Sequence, residues 1–227
     1  MRRGGPLAMT LAALASLASA AAHGQSACAD VGGTVGPDRA CHIRSSTAAY
    51  DVDISFPVDY PDLQAVTGFV KRGRDEFTGW VARFGPAAAR GRPYQYIVTG
   101  ETYRSRTPSS GTESLVLTID NDTGLANEGH PNTTFQAFDF DLARRAPITF
   151  GTLFRPGTTP LGVLNPTVRR ALDAPSAELT ENTYRNFAIT DDAVIFFFDQ
   201  NQIVQDNDGP HQVSVPRSDL AALLAYT

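Results

Sequence analysis

Six consecutive apolar residues, Ala193-Val194-Ile195-Phe196-Phe197-Phe198, stand near the C-terminal end of this 227-residue chain. A strand with one wet face alternates apolar and polar residues, whereas an unbroken apolar run needs cover on both faces. The run therefore predicts a central strand, entered from Phe187-Ala188-Ile189-Thr190 through the turn Asp191-Asp192. His211 to Val215 predicts a neighbouring strand, and Ser218 a cap for a closing helix carrying Leu220, Leu223 and Leu224.

What can cover that strand is written upstream. Tyr50-Asp51-Val52-Asp53-Ile54-Ser55-Phe56 alternates with period two and ends at Pro57, which predicts a half-buried strand. Asp62 then caps a helix in which Leu63, Val66, Phe69, Val70, Phe77, Trp80, Val81 and Phe84 recur at three- and four-residue steps. Trp80 reads as part of that core stripe. After a linker from Gly85 to Pro93, strands are expected at Tyr94–Tyr103, Thr112–Ile119 and Thr133–Phe140, joined as an antiparallel meander. Thr149 to Pro166 reads as irregular, and Asn165-Pro166 as the start of a short helix through Leu172. Strands outnumber helices without alternating regularly with them, so the fold class is α+β, with helices packed on mostly antiparallel sheet.

The N-terminus reads as a leader. Arg2 and Arg3 precede an uncharged Leu- and Ala-rich stretch from Leu7 to Leu17, followed by the A-x-A sites Ala18-Ser19-Ala20 and Ala20-Ala21-Ala22. The apolar run is shorter than the roughly 20 residues a spanning helix needs, which favours a cleaved signal over a membrane anchor. The expected division is 1–22 signal peptide, 23–145 a half with disulfide loop, strand, helix and meander, and 146–227 a C-terminal half. The two halves are expected to form one compact unit, secreted to the cell exterior and monomeric.

Beyond the leader, 17 basic residues face 24 acidic ones, without a basic run. A nucleic-acid or anionic-membrane partner is disfavoured on that balance, and stable membrane insertion is not expected because no other apolar stretch is long enough to cross a bilayer. Cys28 and Cys41 are the only cysteines. Two nearby cysteines in an exported chain predict a disulfide. A lipid-modified Cys28 lacks the Leu-rich residues such a site places before its cysteine, and a metal pair lacks further ligands at suitable spacing.

Chemistry-bearing motifs are few. Gly-x-Ser-x-Gly, His-Glu-x-x-His and phosphate-cradling glycine loops are all absent from the sequence, so neither a cofactor nor a metal is expected. His42, His130 and His211 follow the leader, none beside an obvious nucleophile; Ser110, before Gly111, is a turn serine. A triad can still be assembled in space, which keeps His130, His211 and Ser110 as candidates. For His130 the structural reading is the stronger: it fixes the turn through one ring nitrogen, and Pro131 restricts it to extended geometry. Asp51 and Asp53, like Asp139 and Asp141, would each project from one strand face, as paired carboxylates or calcium ligands require. With aromatics alternating in register, both pairs read instead as solvated outer faces. Asp206-Asn207-Asp208-Gly209 lacks the Glu a calcium loop needs and reads as a turn.

Placed in order, these residues resemble a known family. Cys28 and Cys41, Tyr50, Ile54, Pro57, Tyr60-Pro61-Asp62, Phe77, Pro93-Tyr94 and Gly111-Thr112 are followed by His130-Pro131, Thr133-Thr134, Ala137-Phe138-Asp139 and Pro147-Ile148-Thr149. The densest stretch runs from Asn186-Phe187-Ala188 through Val194 to Phe198, then Gly209-Pro210 and Val215-Pro216-Arg217-Ser218. The series is similar to the secreted immunogenic antigen family of mycobacteria, and its C-terminal half to the RsiV-like domain of unknown function found in some anti-sigma factors. Two turns depart from the pattern: Asn127-Glu128-Gly129 replaces a glycine pair, and Ala193 replaces a glycine.

The resemblance implies an α+β fold with a β-grasp-like C-terminal part, an extracellular location and no agreed catalytic residues. Three functions are compatible with it. The first is a non-catalytic domain binding a host or cell-envelope ligand. The second is an esterase of small esters, and the third a lysozyme-binding protein related to the anti-sigma ectodomains.

Overall fold

The computed structural model describes residues 22–84, 91–106, 111–123, 132–204 and 209–226. Residues 22–30 are helical (α1), followed by the short strand β1 (Thr34–Val35), β2 (Ala40–Ser46) and β3 (Tyr50–Pro57). The long helix α2 (Leu63–Phe84) leads to β4 (Tyr94–Ser105), β5 (Thr112–Asn121), β6 (Asn132–Asp141) and β7 (Ala146–Ile148). These seven strands form one sheet in chain order. Every neighbouring pair is antiparallel except β3 with β4. That exception follows from the connection: two parallel strands need a crossover, and α2 is that crossover.

The C-terminal part contributes α3 (Phe150–Leu153), α4 (Leu161–Ala171), a 3₁₀ turn at Glu181–Tyr184, β8 (Phe187–Ile189), β9 (Ala193–Phe198), β10 (His211–Pro216) and α5 (Arg217–Leu220). Its three strands form a second antiparallel sheet with β9 in the middle. This is the expected α+β class with a mostly antiparallel sheet. The expected strand Tyr50–Phe56, the helix to Phe84 and the β4–β6 meander are all present, and Asp62 accepts the Ala65 N–H at 3.3 Å.

The layers explain the apolar patterns. One face of the seven-stranded sheet, through Val52, Ile54, Val98, Leu115 and Leu117, packs against Leu63, Val66, Val70 and Phe77 of α2. The other face meets the second sheet, with Val116, Ala188 and Phe197 buried between them. Beyond it, Phe196, Phe198 and Val215 pack against Leu164 and Val168 of α4 and Leu220 of α5. Thus Phe197 serves the inter-sheet layer while Phe196 and Phe198 serve the outer core, as an unbroken apolar strand requires. Cys28 and Cys41 are fully buried and joined as a disulfide, closing α1 onto β2.

Side chains complete the seam between the sheets. Among the described residues, the edge of β6 beyond its short pairing with β7 has no strand beside it, yet three of its N–H groups are paired. Gln200 Oε1 accepts from Thr133 N (3.1 Å), Asp199 Oδ1 from Phe135 N (2.7 Å) and Asn186 Oδ1 from Ala137 N (3.1 Å). Asn186 also donates to the Phe135 carbonyl at 2.9 Å. Three side chains stand in for a missing strand, as buried backbone groups demand.

Three expectations need correction. The helix expected from Asn165-Pro166 begins at Leu161, so Pro166 lies inside it rather than in its first turn. The stripe Leu164–Val168 decides the start, and burial against the second sheet outweighs the hydrogen bond that Pro166 cannot donate. Ser218 is not the cap of α5: Pro216 occupies that position, and Ser218 donates to Asp219 within the helix. Asp139 and Asp141 are not on a solvated face, being 5% and 6% exposed. The second sheet and the segment after β6 cover the face that alternation marks as outer. Asp51 and Asp53 do remain at the surface, where Asp53 pairs with Arg44 at 3.4 Å.

Candidate functional site

Two of the clefts on the seven-stranded sheet lie one on each face. The first lies between α2 and the sheet. Phe69, Gly73, Phe77 and Trp80 repeat along one side of the helix, and Tyr96 and Ile119 rise from β4 and β5 to enclose about 500 Å³. Its walls are ordered by ring contacts. Tyr96 stacks on Phe77 with centroids 5.2 Å apart, and Trp80 meets Tyr94 edge-on at 5.2 Å. Trp80, expected as a core residue, is only partly buried and lines this cavity. At the exposed rim Arg72 and Glu76 supply one charge of each sign, while Asn121 and Thr134 supply neutral hydrogen-bonding groups. Burial, helped by the Glu76 charge, raises the Tyr96 hydroxyl to about 12, so it stays a neutral donor at physiological pH. Apolar walls with a few convergent polar groups are the usual make-up of a small-ligand cavity.

The second cleft lies on the opposite face, where β6 and β7 meet α3 and the 3₁₀ turn. It encloses about 590 Å³, with Asp139, Ile148, Phe150, Glu181, Asn182 and Arg185 among its walls. Asp139 pairs with Ser114 across β5–β6, and the Ser114 hydroxyl hydrogen-bonds its carboxyl. Ser114 in turn accepts the Ile189 N–H at 3.1 Å. Oδ1 of Asp139 is buried without a hydrogen-bond partner. Loss of water around the carboxyl pushes its pKa well above the ordinary carboxylate range, and the Ser114 hydrogen bond opposes that only in part. Arg185 is held by Asp199 at 2.6 Å.

Of the residues singled out in the sequence, the described ones are dispersed. Ser110 and His130 lie outside the described residues, as does the Asp206-Asn207-Asp208 segment. Gly111, which follows Ser110, is at the end of β5 where Arg106 N donates to Asp191. Asn132, two residues past His130, is at the opposite end of that strand, about 30 Å away at strand rise. His211 opens β10 opposite Phe198, toward the Asn132 end. His42 directs its Nε2 at the Asp38 carboxylate, 2.9 Å away, and that contact holds the Asp38 pKa below its usual value. Among the described residues no group of three or more His, Cys, Asp or Glu side chains is placed to hold a metal ion. No helix of the described residues is long and apolar enough to cross a membrane.

Sequence similarity places the chain. It is 43% identical over 205 residues to a Mycobacterium tuberculosis (strain ATCC 25618 / H37Rv) protein named Esterase Rv3036c, covering 86% of this chain and 88% of that one. It is 39% identical over 196 residues to Immunogenic protein MPT64 of the same strain, covering 82% and 83%. The chain belongs to the MPT64 family. The resemblance read from the cysteine pair, the His130-Pro131 region and the aromatic strand is therefore correct at family level.

Within this MPT64-family chain, residues 151–218 match the model of a protein family of unknown function, DUF3298. That match runs from α3 into α5 and so contains the whole second sheet. A solved DUF3298-family protein (PA4972) of Pseudomonas aeruginosa PAO1 superposes with a TM-score of 0.54 over 82% of this chain and 91% of its own. At 12% identity it supports the fold alone. Neither cleft is marked by a local sequence pattern. The second has an Asp on each side of Phe140, but alternation cannot reveal that a second sheet covers that side.

Proposed function

We propose that this MPT64-family protein is exported and acts as a non-catalytic binding protein. In this reading it takes a cell-envelope ligand with an apolar body and a polar end in the cavity beneath α2. The aromatic enclosure of that cavity carries the proposal. Phe69, Phe77, Trp80 and Tyr96 offer apolar faces, and the Arg72–Glu76 rim offers a polar exit in about 500 Å³, within the usual range for small-molecule sites. Export rests on the leader pattern and fits a buried disulfide.

Trp80 is the only tryptophan in the sequence, so its emission reports directly on this cavity. Titration of the purified protein with decanoate and with monodecanoylglycerol is expected to change that emission saturably. An unchanged signal with both probes overturns the reading.

A second reading, hydrolysis of small esters, is supported by the name of the 43%-identical relative. Turnover of 4-nitrophenyl butyrate by the purified chain, compared with the Ser110→Ala, His130→Ala and His211→Ala variants, tests it. A drop of two orders of magnitude in any of the three would make that residue part of the catalytic machinery.

A further inference from the structure

A third cleft lies at one end of the seven-stranded sheet, away from the α2 cavity. Ser105, Thr112 and Asp141 stand side by side in register across β4, β5 and β6 and form part of its wall. Three arginines reach it from three segments: Arg106 just past β4, Arg144 in the turn between β6 and β7, and Arg217 at the start of α5.

Contacts within the cleft fix where the positive charge sits. Arg217 donates through Nη1 to the Thr190 carbonyl (3.1 Å) and through Nη2 to the Tyr226 carbonyl (2.5 Å). Arg144 lies over the ring of the same Tyr226, 5.5 Å from its centroid. Tyr226 lines the cleft, so two guanidiniums meet at one wall residue, one at its carbonyl and one at its ring. The Arg106 backbone N–H is held by Asp191 at 2.6 Å, and its side chain is exposed. Among the described residues neither Arg106 nor Arg217 forms an ion pair, and the Arg144 pair with Asp141 is long, at 3.6 Å. Asp141 is the one acidic residue of the wall, and its Oδ1 already accepts from Ala143 N and Arg144 N, both at 2.9 Å. The two carbonyls take Arg217's protons but none of its charge. Burial and the nearby Arg106 charge therefore lower the Arg217 pKa, with Asp191 opposing. Three guanidiniums against one engaged carboxylate leave an excess of positive charge, and an anion is its complement.

The size of the cleft and the number of guanidiniums indicate which anion. The cleft encloses about 210 Å³, below the roughly 300 Å³ at which sites for drug-sized molecules begin, so it suits a head group rather than a whole ligand. One guanidinium fork satisfies a carboxylate. A phosphate monoester brings nearly two negative charges and three acceptor oxygens, which three guanidiniums on separate segments can share. We propose that this cleft binds a phosphate-monoester group, with Arg106, Arg144 and Arg217 supplying its hydrogen-bond donors.

Glycerol phosphate in solution presents that group free, and phosphatidylcholine vesicles with added phosphatidic acid present it on a lipid. Acetate at equal ionic strength is the control. Nuclear magnetic resonance of the whole protein should show glycerol phosphate shifting the Nε–H signals of the three arginines saturably, with acetate moving them little and the Trp80 indole unmoved. Arg106→Gln removes a side chain that ties down nothing else, so it should melt as wild type does and bind glycerol phosphate at least fivefold more weakly. Arg106→Lys should restore part of that loss. Arg217→Gln may not fold, since it loses two carbonyl contacts; Arg106→Gln and Arg144→Gln then decide. A response to glycerol phosphate supports the site with a soluble ester as its source. Flotation with phosphatidic acid vesicles alone, lost in Arg106→Gln, supports it with a lipid head group as the source. Arginine signals unmoved by glycerol phosphate, together with no flotation, overturn the proposal. So does acetate acting as strongly as glycerol phosphate, or wild-type binding by both Arg106→Gln and Arg144→Gln.

Discussion

Ser114 and Asp139 are directly opposed on β5 and β6, and the Ser114 hydroxyl links the Asp139 carboxyl to the Ile189 N–H of the second sheet. One side chain thus ties both sheets together at a point where all three groups are buried. Ser114→Ala removes a donor and an acceptor at once. Each group left unsatisfied costs about 1–3 kcal/mol, so urea melts should show a loss in that range or above, with an unchanged slope.

The raised pKa of Asp139 has a definite sign in stability. Below the ordinary carboxylate value, about 3.9, the group is protonated in both folded and unfolded chains and contributes no pH dependence. As pH rises above that value the unfolded chain releases the proton while the folded one keeps it, so stability falls until the folded pKa is passed. Asp139→Asn cannot titrate. Its stability relative to wild type should therefore increase between about pH 4 and pH 7. Paired denaturant melts across that interval give the result; a constant difference would show that Asp139 has an ordinary pKa.

Much of the fold could be read from local pattern, and what could not be read has a common physical cause. Ala193–Phe198 announced a strand covered twice, and Leu63–Phe84 announced its helix, because periodicity records burial within one element. The cover on the Asp139 face comes from β8 and β9, about fifty residues downstream, and alternation along β6 carries no record of them. Trp80 was read as core because a helical stripe marks an apolar face without marking where a cavity interrupts its packing. Pro166 was placed at a helix start by a local rule that the burial of Leu164 overrides. Cys28 and Cys41 needed no geometry, only compartment and count.

Asn186 is the clearest member of the seam that local pattern could not reveal. It is 2% exposed, and both ends of its amide serve β6, accepting from Ala137 N and donating to the Phe135 carbonyl. Asn186→Ala should cost about 1–3 kcal/mol for each backbone group left dry. Asn186→Asp keeps the acceptor for Ala137 but loses the donor to Phe135, and should be destabilised as well. Hydrogen exchange at Ala137 should accelerate in the alanine variant, a change that a distant surface substitution would not produce.

The disulfide is packed as tightly as the sheets. A Cβ on Gly33 would lie 2.6 Å from Cys41 Sγ, 2.8 Å from Cys28 Sγ and 2.9 Å from Ile43 Cγ1. All three neighbours are buried core atoms and cannot swing away. Gly33→Ala should therefore destabilise by about 1–3 kcal/mol through overpacking. Reduction of the wild-type bond, whose cysteines are 13 residues apart, should cost about 3 kcal/mol by loop entropy, seen as a melting temperature several degrees lower.

Gly73 offers a way to alter the α2 cavity without touching its charged rim. It lines the cavity from the helix, and a Cβ there would collide with the Tyr96 hydroxyl. Tyr96 cannot easily retreat: it is 4% exposed and stacked on Phe77 at 5.2 Å. A methyl at residue 73 therefore either displaces the ring into the cavity or lifts α2 from the sheet. The helix gains from the same change, because Ala is favoured over Gly in a helix interior by about 1 kcal/mol. Overpacking costs about 1–3 kcal/mol, so the net loss of stability should be small, about 0–2 kcal/mol. Ligand binding should suffer more, since the cavity loses volume where its aromatic walls meet. The expected outcome for Gly73→Ala is a melting temperature within a few degrees of wild type and a decanoate response of Trp80 weakened at least fivefold. Normal stability with an undiminished Trp80 response would mean that the ligand does not occupy the space between Gly73 and Tyr96.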